Sequence, residues 1–323
     1  LIKSHRVIAP VDNGKTIRFQ EISHSDEVEL VYSNTKLASK EILFPQTEVL
    51  FTVKKKDGKT VIEKPAPIEK DWVIFGVRPC DAKGLENSFK VFASGAHKDR
   101  LYLEKREKTI VIGLACKAPM STCFCTSVGG SPSGTDGMDL LFTDIGDNYL
   151  VNVLSDRGAN LIELAEGTKQ PSTEDLEAAQ NQWDTAEKSM PTIQGLDGLH
   201  DKLDGMFDDP IWDELSPKCI GCGTCAYVCP TCLCFDMLDE ETPEGVQRVR
   251  IWDTCQFPQF TAHASGHNPR PSGKERVRQR VLHKFLYFPN EHGHTSCVGC
   301  GRCIRECPVN QDIRDALVKL VEV

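Results

Sequence analysis

The chain has 323 residues, of which 40 % are hydrophobic and 26 % charged, which is typical of a soluble globular protein of two or three domains. Its net charge of −9 argues against nucleic acid as the main partner. No apolar stretch approaches the roughly 18 residues that a membrane span needs. A basic-then-apolar leader is not evident either, so we expect a location in the reducing cytoplasm.

Residues 1–155 predict a mixed α/β domain. The apolar runs 72–77 and 109–114 read as buried strands, and a helix is predicted between them at 82–92. This βαβ order predicts that the two strands are parallel neighbours. Two hairpins are also predicted, at 49–63 and 140–154.

The rest of the chain divides into a helical connector, 156–217, and a cysteine-rich domain, 218–323. Ser172 followed by acidic residues predicts the start of a helix in the connector. Residues 312–321 are amphipathic and predict a closing helix. The expected fold class is therefore α+β, with an N-terminal α/β domain, a helical connector and a C-terminal domain of the bacterial two-cluster ferredoxin type.

Cysteine usage is the unusual feature of the composition. The chain has 15 cysteines, gathered at 80–125, 219–255 and 297–307. A chain of this length does not need disulfides for stability, and in a reducing compartment clustered cysteines indicate metal ligation or redox chemistry.

Two of these groups contain the same motif, C-x2-C-x2-C-x3-C-P, at 219–230 and 297–308. This is the bacterial ferredoxin pattern, in which the fourth cysteine of each run ligates the other run's [4Fe–4S] cluster. The pattern makes the segment 230–296 an insertion between two runs that must meet in space. The predicted ligand sets are Cys219, Cys222, Cys225 and Cys307 for cluster one, and Cys297, Cys300, Cys303 and Cys229 for cluster two.

A pair of zinc sites is the alternative for these runs. Zinc sites usually present two separated cysteine pairs rather than three cysteines at x2 spacing followed by x3-C-P. The spacing therefore favours iron–sulfur clusters.

The insertion contains three more cysteines, Cys232, Cys234 and Cys255. They are either ligands of another metal site, together with a fourth group, or small buried thiols beside cluster one. Three is an incomplete set for a cluster held by cysteine alone, which favours buried thiols.

The insertion is also rich in basic residues. Between 248 and 284 the chain has eight Lys or Arg residues against two acids. Such a run is usually a solvated helix face, but it can also balance the charge of thiolate-ligated clusters or dock an acidic partner or a nucleotide phosphate.

The four N-terminal cysteines, Cys80, Cys116, Cys123 and Cys125, form a candidate third cluster site. Cys80 and Cys116 each follow one of the two predicted parallel strands, so both should emerge at the carboxyl edge of the sheet. Cys123 and Cys125 lie on the loop after the second strand and can fold back to the same edge. Buried thiols without a metal, or a zinc site, are the alternatives.

Several motifs along the chain resemble the iron–sulfur β subunit of cytoplasmic NAD(P)-linked [NiFe] hydrogenases, also called sulfhydrogenases. The chain is similar as well to the A subunit of anaerobic sulfite reductase, and the resemblance covers nearly all of it. The motifs that carry it are Phe75-Gly-Val-Arg-Pro-Cys80-Asp, Thr122-Cys-Phe-Cys125, Cys229-Pro-Thr-Cys-Leu-Cys234-Phe-Asp, Trp252-Asp-Thr-Cys255, Gly266-His-Asn-Pro-Arg270 and the closing ferredoxin run.

The resemblance implies a subunit that relays electrons between a flavin subunit handling NAD(P)H and a catalytic redox subunit. It also implies a third iron–sulfur cluster in the N-terminal domain. A catalytic subunit with its own flavin or nucleotide site, using the glycine-rich segment 129–134, is one alternative. The electron-input subunit of a heterodisulfide-reductase-type complex is another, and a zinc-binding scaffold is a third.

Overall fold

A computed structural model describes residues 1–323. It contains ten strands and twelve α-helices. The strands are β1 (Arg6–Asp12), β2 (Ile17–Glu21), β3 (Thr47–Lys56), β4 (Lys59–Glu63), β5 (Trp72–Val77), β6 (Thr109–Leu114), β7 (Leu140–Asp144), β8 (Tyr149–Val153), β9 (Phe235–Thr242) and β10 (Gly245–Trp252).

The helices alternate with these strands in the first half of the chain and dominate the second half. They are α1 (Lys40–Leu43), α2 (Pro79–Ala93), α3 (Arg100–Glu107), α4 (Asp156–Ile162), α5 (Thr173–Lys188), α6 (Leu199–Asp204), α7 (Ile211–Leu215), α8 (Thr224–Tyr227), α9 (Gly273–Leu282), α10 (Phe288–His292), α11 (Arg302–Arg305) and α12 (Ile313–Glu322). A π-helical turn, His283–Tyr287, joins α9 to α10. None of the helices is long and apolar enough to cross a membrane.

The larger sheet has six strands in the order β2-β1-β5-β6-β7-β8. The four central strands are parallel to their neighbours, and each edge strand is antiparallel. The prediction that β5 and β6 are parallel neighbours is confirmed. Because both strands run the same way, the segments that follow them, which contain Cys80 and Cys116, leave the sheet at the same edge.

The smaller sheet joins two distant parts of the sequence. It is antiparallel throughout, in the order β4-β3-β10-β9, so that β10 of the insertion pairs with β3 of the N-terminal region. The hairpin predicted at 49–63 is confirmed as β3 and β4. The pairing of β3 with β10 crosses the expected domain boundary, and the division at 155 and 217 stays a prediction.

The second half of the chain packs around Trp212, whose side chain is fully buried among residues of α6, α9 and α12. Phe124 and Val128 from the N-terminal cysteine loop belong to the same hydrophobic cluster. The loop that carries Cys123 and Cys125 is therefore held against the cysteine-rich half by apolar packing. The predicted helix at α5 is also confirmed, with Ser172 as its N-cap and Asp175 completing a capping box.

Candidate iron–sulfur sites

The first ferredoxin run lines a cavity at the surface of the protein. Cys219, Cys222 and Cys225 lie on the loop that leads into α8, and the cavity they line also contains Cys307 from the second run. Cys303 of the second run lines this cavity too, so the two runs meet in space, and the assignment of each cysteine to a cluster stays a prediction. Cys222 is solvent-exposed, and the neighbouring Ile220 is 65 % exposed, so this site lies nearest the surface.

The second run forms a more deeply buried site. Three of its cysteines are buried: Cys297, Cys300 and Cys229. Cys303 is half-buried, and its pKa is raised by burial and by the nearby charges of those three sulfurs. Burial raises the pKa of the Cys297 thiol to about 11. Without a metal the Cys297 thiol would stay protonated at neutral pH, whereas a metal that bonds to its sulfur displaces the proton. The pKa of Cys229 is instead lowered, by a hydrogen bond from Cys232 and by the nearby charge of Lys284.

Buried cations of the insertion face this second site. The Lys284 ammonium lies 3.4 Å from the Cys229 sulfur and 2.9 Å from Thr231 Oγ1. Burial alone would lower the pKa of Lys284, but the Cys229 and Cys232 sulfurs raise it above the usual value. The guanidinium of Arg280 lies 3.5 Å from the Cys232 sulfur. Both cations fit an anionic, thiolate-ligated group.

Four of the remaining basic residues of 248–284 are paired with acidic side chains. Arg248 pairs with Asp239, Lys274 with Asp213 and Arg278 with Asp208. Arg250 is buried and pairs with Glu48 and Asp99, which ties the smaller sheet to the N-terminal region. Of the three roles that the sequence left open, the positions of Arg280 and Lys284 beside cysteine sulfurs fit the balancing of cluster charge.

The four N-terminal cysteines line one cavity at the carboxyl edge of the larger sheet. Cys80 lies in the first turn of α2, Cys116 follows β6, and Cys123 and Cys125 come from the loop beyond it. Burial raises the pKa of Cys123 to about 11 and that of Cys125 to about 12. Four thiols that converge in this way match the donor set of a cubane cluster.

This N-terminal site lies directly against the second ferredoxin run. The Phe124 backbone N–H donates to the Gly299 carbonyl at 2.8 Å, and the Cys123 thiol contacts the Cys300 carbonyl at 3.8 Å. Asp81 and Arg302, one residue from Cys80 and from Cys303, form a buried ion pair. Residues Gly299 and Cys300 of the second run therefore also line the N-terminal site.

The glycine-rich segment 129–134 packs onto the N-terminal site instead of forming an open phosphate cradle. The Gly130 N–H donates to the Cys125 carbonyl at 2.9 Å. Lys83, the one cation lining the adjoining cavity, is bound to the Gly129 carbonyl and lies 3.4 Å from the Asp136 carboxylate. Nothing in this arrangement favours a nucleotide site.

Comparisons with known proteins agree with the cysteine geometry. A family described as a 4Fe-4S dicluster domain matches residues 218–311. The β subunit of sulfhydrogenase 2 from Pyrococcus furiosus is 33 % identical to the chain, over 97 % of this chain and 93 % of the relative. No solved structure gives a significant match.

The chain belongs to the family of sulfhydrogenase β subunits. It is an iron–sulfur subunit with a [4Fe–4S] dicluster domain at its C-terminal end. Membership of this family means that the chain works with partner subunits.

Sequence reasoning missed the charged residues around the sulfhydrogenase-type cysteine sites. Lys40, Asp81 and Arg302 are almost fully buried, yet none is at a position that the cysteine motifs specify. A charged residue directly beside a candidate ligand cysteine, as at Cys80-Asp81 and Arg302-Cys303, is the only signal that could have pointed to two of them.

Proposed function

We propose that the chain is an electron-transfer subunit that carries three [4Fe–4S] clusters and connects a flavin subunit handling NAD(P)H to a catalytic redox subunit, in the cytoplasm. When bound, such clusters supply one-electron transfer at low potential. The catalytic partner is expected to be hydrogenase-like or sulfite-reductase-like, since the residues of this chain resemble subunits of both.

The proposed ligand sets follow the three groups of converging cysteines. They are Cys219, Cys222, Cys225 and Cys307 for cluster one, Cys297, Cys300, Cys303 and Cys229 for cluster two, and Cys80, Cys116, Cys123 and Cys125 for cluster three.

The observation that carries this proposal is the packing of the N-terminal site against the second run. Gly299 and Cys300 belong to that run and line the N-terminal cavity. The second run in turn meets the first through Cys229 and Cys307. The three sites therefore follow one another from the N-terminal sheet to the exposed Cys222, which is the order that a relay needs.

The role of the protein at each site is to hold the sulfurs apart, exclude water and supply charge. Cys297 and Cys300 are buried together with Cys229, and Lys284 places a positive charge beside them. Such neighbours raise the potential at which a cluster accepts an electron. At the first site Cys222 is exposed, so a partner's redox group can approach it closely.

The third cluster is the part of the proposal that needs a direct test. We expect a Cys116→Ser variant of the full chain, purified anaerobically, to contain about 4 iron and 4 sulfide fewer than wild type and to lose one set of EPR signals on reduction. Ser121→Ala, on the same loop, should leave both unchanged. Equal iron in Cys116→Ser and wild type would remove the third cluster from the proposal.

The proposed place in the relay has its own test. Within the complete complex, NAD(P)H should reduce the clusters of this chain, whereas the isolated chain should stay oxidised because, under this proposal, the flavin is held by another subunit. Reduction of the isolated chain by NAD(P)H, together with flavin absorbance, would instead identify a subunit with its own flavin site.

A further inference from the structure

The loop 258–272, here called the rim loop, borders the first ferredoxin site and has no part in the proposed relay. It contains the motif Gly266-His-Asn-Pro-Arg270. The Asn268 side chain closes the loop, because its amide donates to the Pro258 carbonyl at 2.7 Å and its oxygen accepts from the Arg270 N–H at 2.9 Å. The loop therefore has a defined shape, although most of its residues are exposed.

The residues that flank the rim loop pack directly on the first site. Gln256, which precedes the loop, lines the cavity of that site. A Cβ on Gly221, which is next to Cys222, would lie 3.2 Å from the Gln256 carbonyl oxygen and 3.8 Å from Nη2 of Arg276. Nη1 of Arg276 in turn donates to two carbonyls at the end of the rim loop, at 3.1 Å and 3.0 Å. The rim loop and the exposed Cys222 therefore belong to one continuous surface.

This surface, here called the first-site face, consists of the rim loop with Lys218, Ile220, Cys222 and Arg276. It is basic, although the chain has 47 acidic residues and a net charge of −9. No Asp or Glu occurs between Asp253 and Glu275. Neither Lys218, Arg270 nor Arg276 forms an ion pair, whereas the nearby Lys274 is paired with Asp213. A local positive field of this kind attracts a partner with an acidic surface.

The first-site face exposes little apolar area. Ile220, at 65 % exposed, is the one strongly exposed large hydrophobic residue among those that line the cavity. Permanent subunit interfaces are large and apolar, whereas electron-transfer encounters bury little area and are guided by charge. The face therefore fits a protein that binds transiently and leaves after the electron has moved.

We propose that the first-site face is the docking site of a soluble, acidic electron-carrier protein. The reduced carrier loses one electron to the cluster held beside Cys222, and no covalent bond forms or breaks. Lys218, Arg270 and Arg276 steer the carrier so that its redox group faces this exposed cysteine. The inference rests on cluster one of the proposed function but on neither of its partner subunits, and it adds a second point of electron entry.

Charge reversal on the face tests the proposal, with an acidic two-cluster ferredoxin as the probe. We expect the reduced ferredoxin to reduce the anaerobically purified full chain about tenfold more slowly in Lys218→Glu/Arg270→Glu than in wild type at low salt, and the difference to shrink at about 0.5 M salt. Calorimetric titration with the oxidised ferredoxin should show the same loss of affinity. Reduced methyl viologen, a small cation, should act on the double variant no more slowly than on wild type.

Lys64→Glu is the matched control, because it reverses an exposed cation outside the face, and it should change the rate constant and the affinity by less than about twofold. Equal rate constants and affinities in wild type and the double variant would overturn the proposal. A ferredoxin that reduces the isolated chain but not the complete complex would also overturn it, since a permanent subunit would then cover the face. If ferredoxin reduces the clusters of the complex while NAD(P)H does not, the relay from the flavin subunit fails and the docking site stands.

Discussion

Asp81 and Arg302 form a two-point ion pair inside the protein, at 2.6 Å between Nη1 and Oδ1 and 2.7 Å between Nη2 and Oδ2. Their side chains are 1 % and 0 % exposed. Asp81 belongs to α2 and follows Cys80, whereas Arg302 lies between Cys300 and Cys303. The pair therefore ties the N-terminal cysteine site to the second ferredoxin run.

Removing one partner of this pair should destabilise the fold strongly. Arg302→Met leaves the Asp81 carboxylate buried and unpaired, for which we expect a loss of about 3–5 kcal/mol in the free energy of unfolding by urea. Arg248→Met breaks the exposed pair with Asp239 and should cost less than about 1 kcal/mol. Similar losses of unfolding free energy in the two variants would show that the buried ion pair contributes no more to stability than the exposed one.

Gly299 is the point of closest approach between the second run and the N-terminal loop. It has a φ of 63°, and a Cβ there would lie 2.5 Å from the backbone N and Cα of Cys125. We expect Gly299→Ala to push the two segments apart and to lower the iron content of the N-terminal site. Gly293→Ala is a matched control, because its φ is 77° and a Cβ would meet nothing within 4 Å. Iron loss in both variants would point to backbone strain instead of contact.

Lys284 should tune the second cluster site. Its ammonium lies 3.4 Å from the Cys229 sulfur in a buried position, so it favours the added negative charge of the reduced state. We expect Lys284→Met to lower the reduction potential of that cluster by tens of millivolts, where about 59 mV corresponds to a tenfold change for one electron. A redox titration followed by EPR measures this. Lys274→Met, which removes a surface cation paired with Asp213, should leave the reduction potential of that cluster unchanged. An equal shift of the potential in this variant would contradict the local role of Lys284.

Removing the metal should weaken the fold, and restoring it should depend on pH. Burial raises the pKa of Cys297 and of Cys123 to about 11, so these two thiols are neutral at pH 7 once the metal is removed, and the bonds through which the metal joins distant cysteines are lost. Since these thiols must lose protons to bind iron, reconstitution should become more favourable as the pH rises from about 6 to about 8. Iron content and the midpoint of thermal unfolding measure the two effects. A thermal-unfolding midpoint that does not change after chelation would contradict the first expectation. A yield of reconstituted iron sites that falls as the pH rises would contradict the second.

Local signals predicted much of the fold around these sites. The strands at 72–77 and 109–114 were readable because each is a continuous apolar run between turn residues, and the βαβ order then fixed their parallel pairing. The crossed meeting of Cys219 and Cys307 followed from motif spacing alone. Strand β9 was not predicted, because its exposed acidic residues do not alternate with apolar ones; its pairing with β10 makes it a strand.

The electrostatics of the site could not be foreseen in the same way. The basic residues of 248–284 look alike in sequence, yet Lys274 forms a surface pair while Lys284 faces a buried sulfur. Which of them points inward depends on the packing of α9 and of the π-helical turn after it. The roles of Lys40 and Arg302 likewise depend on contacts with distant segments, to Cys232 in one case and to Asp81 in the other.

The crossed arrangement of the two runs has a consequence for how the subunit is made on the ribosome. Under the proposed ligation, the first site is incomplete until Cys307 has been synthesised, and the second until Cys303 has been synthesised. The N-terminal cavity is incomplete until Gly299, which lines it, has been added. All three residues are translated close to the end of the chain. Cluster insertion must therefore follow synthesis of almost the whole polypeptide, and a prematurely terminated product has no complete site to load. Until then the nascent chain displays its earlier cysteines as free thiols, so anaerobic conditions protect its biogenesis as well as the finished subunit.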